Sequence, residues 1–368
     1  MGKITNNGPD WRKWRNLGKM KRFFSLLALF AALTWTLPVA GAMGSQLLAS
    51  PSPTLEVQPA ASPDPATQAT PAPSAQPEAS PIPVEGDLVP ILNTDTGQVE
   101  QVPLEEFVLG SVASEMPYNW PDEALKAQAI ASRSYALARV ALNDGSDPTL
   151  QGAAFSASPA QHLGFVKTEQ MQQMWGDAFQ QNYDRLKGLV EATAGQVLEY
   201  EGQTALACYH AISAGHTEAS ENVWSTPLPY LCGVDSVLDL TSPDLTATVT
   251  MTSQEVYNSL LLAFPGLQLE GDPVNWFGQP QLTAAGYIDT IPVGPSQLAG
   301  TDVRQALGLR SACFTVAYAD GQFTFTTTGY GHGVGMSQYG AYALALTGQT
   351  CDAILATYYP GTTLTTPK

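Results

Sequence analysis

Charge is scarce in this sequence. Only 13% of its 368 residues are charged, and 16 Lys and Arg face 33 Asp and Glu. Seven of those cations (Lys3, Arg12, Lys13, Arg15, Lys19, Lys21 and Arg22) crowd into residues 1–22 beside a single acid, Asp10. The other 346 residues therefore hold nine basic and 32 acidic groups. A body that acidic does not neutralise phosphates, which excludes nucleic acid as a partner and argues against polymerases, repressors and nucleases. Partners are expected to be neutral, cationic or held by local chemistry. Cysteine is scarce too: Cys208, Cys232, Cys313 and Cys351 are all there is, and no two form a CxxC pair. Ribbon-type zinc and thioredoxin-like chemistry therefore lack their spacing.

What the chain does have is apolar mass, 44% of its residues, enough for one large domain or two ordinary ones. After the basic segment 1–22, residues 23–42 (FFSLLALFAALTWTLPVAGA) carry no charge and are long enough to cross a bilayer as a helix. The flanking cations hold that end in the cytoplasm and put the rest outside. Pro38 and the small residues up to Ala42 suit a cleavable signal peptide, and the length suits an uncleaved anchor equally; both readings stand. Residues 43–86 read as a disordered Pro/Ala-rich linker, with ten prolines between 51 and 83. The folded part is expected over 87–368. An oxidising compartment permits disulfides, for which Cys208–Cys232 and Cys313–Cys351 are the sequence-local pairs and four free thiols the alternative.

Leu104 to Met116 reads as a helix stopped by Pro117. At about 100° per residue, Leu104, Val108, Val112 and Glu115 share one face, with Phe107 and Ser111 beside them and Glu105 and Glu106 directed to water. Glu115 thus continues a core-facing stripe in a last turn, where the helix dipole disfavours negative charge. Both effects raise a carboxyl pKa, as does an apolar wall from Met116, Tyr118 or Trp120, and a raised glutamate can donate a proton at neutral pH. A second helix runs from Trp120-Pro121 to about Leu142, with Lys126, Gln128, Arg133 and Tyr135 off its apolar stripe, on a solvated face or lining a cleft. The two helices form an αα-hairpin with Glu115 beside the joint.

A second cluster, ALACYHAISAGHTEASENVW, starts as a short strand and carries His210, Ser213 and His216 near Cys208 and Cys232. The H-x5-H spacing is a weak zinc signal, and a disulfide or hydrogen-bonded histidines explain it as well. A third, after the strand-like QFTFTTT (322–328), is the glycine turn 329–340 with His332, Ser337 and Gln338, leading into a helix at about 340–347. No GK[ST] follows, so it is read as a structural turn or a close approach to a bulky ligand.

Taken in order, LEEFVLGSVASEMPYNWPDEALKAQAIASRSYAL, YHAISAGHTEASENVW, LGLRSACFTV and GYGHGVGMSQYGAYALALTG with ATYYPGT resemble the SpoIID/LytB family, the stage II sporulation protein D and amidase-enhancer domain, from about Leu88 to Thr363. The resemblance implies cell-wall work outside the cytoplasm, in the periplasm or cell wall. Sporulation members are lytic transglycosylases of glycan strands stripped of stem peptides, and others enhance an N-acetylmuramoyl-L-alanine amidase. The family's catalytic glutamate precedes Met-Pro, which is Glu115 here. The resemblance further implies supporting roles for Lys126, Gln128, Arg133 and Tyr135, and sugar-positioning roles for His210, Ser213, His332, Ser337 and Gln338. Some members bind zinc near the segment of His210 and His216, but their adjacent His-Cys pair is replaced here by Glu221-Asn222, so no cofactor is expected. A single acid suits a transglycosylase, whereas an ordinary glycosidase needs two carboxyl groups. The implied partners are peptidoglycan glycan strands and, in the rival reading of a non-catalytic binding module, a cell-wall amidase. The expected fold is α+β, with a helical hairpin, antiparallel strands over 190–330 and a C-terminal helix.

Overall fold

The computed structural model describes residues 88–158 and 162–366. The expectations for the basic segment, the signal or anchor at 23–42 and the linker up to 86 lie outside the described residues, and among the described residues no helix is long and apolar enough to cross a membrane. The architecture is mixed, with helices and several small antiparallel sheets built around two large hydrophobic cores, and a small third cluster of Leu92, Leu150 and Ala153.

The hairpin β1 (Leu88–Asn93) and β2 (Gln98–Pro103) leads straight into α1 (Leu104–Glu115), followed by α2 (Asp122–Leu142). Both helices are nearly where the spacing places them, since proline stands at the start of each and Pro117 follows the first. Their surroundings are different from the expectation. Phe107 to Ala113 is buried on every side, and α2 buries Gln128, Ser132, Arg133, Ser134 and Tyr135 along with six of its seven alanines. A helix rich in Ala and Ser lets neighbours approach from all directions, and α2 is the central post of the first core instead of a two-faced surface helix. Glu105 is likewise not directed to water: its carboxylate takes a bidentate pair from the fully buried Arg133, at 2.7 Å for each arm.

The short β3 (Phe155–Ser156) pairs parallel with β1. Helices α3 (Thr168–Trp175) and α4 (Phe179–Ala192) then pack beside α1 and α2, followed by β4 (Val197–Tyr200), β5 (Gln203–Thr204), β6 (Tyr209–His210) and α5 (Ser220–Trp224). A second core is inserted next. It comprises β7 (Thr246–Thr252), α6 (Ser253–Ala263), β8 (Gln281–Leu282), β9 (Ile288–Val293), β10 (Ser296–Ala299), α7 (Gly300–Ala306), β11 (Phe314–Ala319) and β12 (Gln322–Thr328). Its sheets are antiparallel, in the orders β11-β12-β7 and β10-β9-β8, over a stack that includes Trp276, Phe323 and Phe325.

The chain returns through the glycine turn to β13 (Met336–Ser337), α8 (Gln338–Leu346), α9 (Cys351–Tyr358) and β14 (Thr363–Thr365), which pairs with β4. The glycines serve a close approach, but to the chain itself: a Cβ on Gly335 (φ +74) would collide with the Cys208 carbonyl oxygen. That approach lets β13 pair in parallel with β6, aligning Ser337 with His210.

Candidate functional site

Glu115 closes α1. Met116 leaves the helix in an extended conformation (φ −128) and is buried, which anchors the joint ahead of Pro117. The Glu115 side chain is half-buried, and both carboxylate oxygens have an N–H donor. Gly164 N donates to Oε1 at 2.5 Å and Gln338 Nε2 to Oε2 at 3.0 Å. Burial lifts the Glu115 pKa above its ordinary 4.5, while the two donors pull the other way. Among the described residues no second carboxylate and no cation contributes to that shift.

Behind Gln338 the contacts continue into the core. Its Nε2 also approaches Gln128 Oε1 at 3.5 Å, Gln128 Nε2 donates to Ser132 Oγ at 3.1 Å, and Ser132 Oγ lies 3.0 Å from Ser111 Oγ and 3.3 Å from Tyr209 OH. Burial raises the Tyr209 pKa strongly, with the nearby Glu115 charge adding to it, so the phenol keeps its proton. These buried partners fix which end of the Gln338 amide points to Glu115.

The joint between α1 and α2 is lined with aromatic rings. Trp120 packs on Tyr342 at 4.7 Å between centroids and on Tyr339 at 6.4 Å, while Tyr118 meets Trp175 at 5.7 Å. Tyr118 is exposed and the other four are half-buried. Arg185 clamps the joint, donating to the Trp120 carbonyl at 2.8 Å and to the Tyr118 carbonyl and Asp122.

The remaining residues singled out in the sequence are placed variously. Gln338 is brought to Glu115, and Gln128 stands behind it, in contact with Gln338. Lys126 pairs with Glu123 at 2.8 Å, and Glu123 also accepts the Cys351 N–H. Arg133 is fully buried, its donors directed to Glu105 and the Gln196 carbonyl, and Tyr135 packs edge-on against Phe155 in the core. Arg133 thus ties α2 to α1, and Tyr135 packs α2 against β3. Ser213 and Ser337 converge, but on a carboxylate the sequence reading missed: both hydroxyls and Ser236 Oγ donate to the buried Asp239, as does Ser213 N. Asp239 and Gly164 carry no sequence signal of their own, because each acquires its role through partners far away in the chain.

His210 is buried, donates Nδ1 to the Val334 carbonyl at 3.2 Å, and is pushed down to about 4 by burial; its Nε2 is buried without a partner. His332 lies beside it at 5.7 Å between ring centroids, with Trp224 5.0 Å away on His332, and accepts the Val334 N–H at Nδ1, so it is neutral. His216 is engaged elsewhere, with the Thr217 carbonyl at 2.7 Å and Asp235 at 3.8 Å. Among the described residues no three His, Cys, Asp or Glu side chains converge as a metal site. In the structure none of the four cysteines is bonded to another, which corresponds to the alternative of four free thiols.

The family model for "Stage II sporulation protein" (SpoIID) matches residues 92–200, the segment that contains Glu115 and Gly164. Stage II sporulation protein D of Bacillus amyloliquefaciens is 37% identical over 274 residues, covering 74% of this chain and 77% of that protein. The protein of the same name from Bacillus subtilis (strain 168) is 36% identical over 275 residues, covering 74% and 78%. An "Amidase enhancer" of Bacillus subtilis (strain 168) is 28% identical over 308 residues, covering 70% of this chain and 40% of that longer protein. With that identity over most of both chains, and the helical hairpin in the matched segment, the protein belongs to the SpoIID family.

Proposed function

We propose that the chain is a peptidoglycan lytic transglycosylase that works outside the cytoplasm, on glycan strands stripped of their stem peptides. The observation that carries this reading is Glu115: a carboxyl whose proton affinity burial raises, held at both oxygens, at an aromatic-lined joint, with no second carboxylate acting on it. One carboxyl group is enough for this reaction. Protonated Glu115 donates to the oxygen joining C1 of N-acetylmuramic acid to the next sugar, and the C1–O bond breaks. The 6-hydroxyl of the same muramyl residue then attacks C1, and the Glu115 carboxylate takes that hydroxyl's proton. The products are a 1,6-anhydro end and a new 4-hydroxyl end. No water is consumed, and Glu115 regains its proton for the next cycle. The half-buried rings Trp120, Tyr339 and Tyr342 supply faces on which pyranose rings can pack.

The test is mass spectrometry of products from peptide-free glycan. The chain should release anhydro-muramyl fragments, and Glu115→Gln, in which no proton can be donated, should release none. Equal release by that variant removes Glu115 from the mechanism. The relative named amidase enhancer supports a second reading, in which the chain binds the wall and stimulates an amidase. That reading expects no sugar fragments from any variant, and a faster amidase on addition of either the chain or Glu115→Gln.

A further inference from the structure

The described body is short of cations, and nearly all are engaged. Lys126, Arg133, Lys167, Arg185 and Lys187 each pair with a carboxylate, and Arg139 donates to the Ala154 carbonyl. Arg304 and Arg310 form no ion pair with any described residue, although the chain is acidic. Both are half-buried. Arg304 donates Nε to the Leu309 carbonyl at 3.2 Å. Arg310 stacks its guanidinium 4.3 Å above the centroid of Tyr330, an exposed ring, and its Nε is buried without a partner. Guanidinium groups withdrawn from water are unfavourable unless acceptors surround them, and a stacked guanidinium keeps its N–H edge free for a planar anion.

The place is as telling as the missing partner. The Arg310 carbonyl accepts the Gly331 N–H at 2.9 Å, and Tyr330 exchanges backbone hydrogen bonds with Ile212. The same turn continues to Ser337 and Gln338, the residue that holds Glu115. We infer that Arg310 and Arg304 bind a carboxylate of the substrate, the lactyl carboxylate of a muramyl residue lying along the glycine turn. The inference rests on the glycan-strand reading above and adds the feature of the strand that is read. In an intact strand the lactyl group is tied up as an amide to the stem peptide. Removal of the peptide frees an anion, and guanidinium groups that bind it make the site prefer stripped strands, through charge-assisted bidentate hydrogen bonds.

The test is binding, on the full chain carrying Glu115→Gln so that strands stay whole. Three ligands of matched length are compared: peptide-free strands, the same strands with lactyl carboxylates converted to primary amides, and peptide-bearing strands. Free strands should bind about tenfold more tightly than either of the others. Arg310→Gln should lower the affinity for free strands to that for amidated ones and leave the latter unchanged. Arg304→Gln provides a second variant if Arg310→Gln does not melt cooperatively, and it should also narrow the gap. Equal binding of free and amidated strands overturns the inference, as does a preference that survives in folded arginine variants. Peptide-bearing strands binding as well as free ones also overturn it, because the anion read would then belong to the peptide. Anhydro-product release by the unaltered chain is a separate readout, so the loss of the transglycosylase reading and the loss of this one can be told apart.

Discussion

Gln338 Nε2 stands 3.0 Å from Glu115 Oε2, a hydrogen bond that spans 223 residues of chain and joins the first helix to the eighth. An amide nitrogen can only donate, so this contact favours the ionised carboxylate and restrains a pKa that burial drives upward. Gln338→Leu removes the donor and leaves the burial, and the Glu115 pKa therefore rises further. Because the acid form is the one that starts cleavage, activity falls as pH climbs through that value, and the alkaline limb of kcat/KM should move to higher pH in the variant. The maximal rate should drop at the same time, because the carboxyl loses a positional restraint. A pH profile measured on peptide-free glycan separates the two effects; a limb that stays in place or moves down contradicts this account of Gln338.

The other oxygen of Glu115 depends on a residue with no side chain. A Cβ at Gly164 would collide with Ser114 Oγ and lie 2.8 Å from Glu115 Oε1. Gly164→Ala should displace the carboxyl or push away the 163–166 segment that donates to it. The expected outcome is a fall in kcat of roughly tenfold to a hundredfold, because small misplacements of a catalytic group are costly. Melting temperature should fall as well, because Leu163 is a buried core residue and Gly164 is buried, so kcat is compared at a temperature where the variant is folded. A variant with a normal rate would show that the Gly164 contact is not needed.

Much of the frame was legible because its signals are local. Prolines at the helix starts and at Pro117 bracket α1 and α2 within a residue or two, and the alternation of 322–328 is the strand β12. Glu115 itself was legible because helix spacing and its terminal position both set it apart. The failures have one cause, the use of local periodicity for helices that are buried all round. Gln128, Arg133 and Tyr135 look like a polar face only if α2 has a solvent side, and its small residues allow it to be enclosed. The serines 213 and 337 were read as sugar contacts because Asp239, which collects their hydroxyls, lies in no motif. Likewise the second core, assembled from 246–328, has no periodic signature that separates it from its host.

Arg133 and Glu105 test the enclosed-helix account. The guanidinium is fully buried and makes two 2.7 Å contacts to the carboxylate and one of 3.0 Å to the Gln196 carbonyl. Arg133→Met leaves that carboxylate partly buried without its partner, at an expected cost of about 3–5 kcal/mol in unfolding free energy. Replacing both, as Arg133→Met with Glu105→Leu, should recover a large part of the loss, because the price of an unpaired charge disappears. Denaturant unfolding of the four proteins of this cycle gives the coupling directly. If instead Arg133 faced the substrate, the variant would keep its stability and lose only activity.

Asp239 offers a stability test with a defined pH dependence. Its carboxylate is fully buried and accepts from Ser213, Ser236 and Ser337, and Ser337 in turn caps α8 through the Gly340 N–H at 3.2 Å. Asp239→Ala strands three hydroxyls and loosens the cap that precedes Gln338, which should cost about 2–4 kcal/mol. Burial raises the Asp239 pKa above 3.8, more than its donors lower it, so between 3.8 and the native value the folded protein binds more protons than the unfolded chain. The contribution of that carboxyl is therefore fully present below pH 3.8 and diminishes as pH rises through the native value. The stability gap between the unaltered chain and Asp239→Ala should be widest in acid and narrow to a plateau toward neutrality. Unfolding curves from pH 3.5 to 7 measure the gap, and one that widens with rising pH would mean that hydrogen bonding outweighs burial at Asp239 and that its pKa is lowered. Either way the variant should lose activity in proportion to the disorder it brings to Gln338, since the serine that caps α8 and the amide that grips Glu115 are consecutive residues.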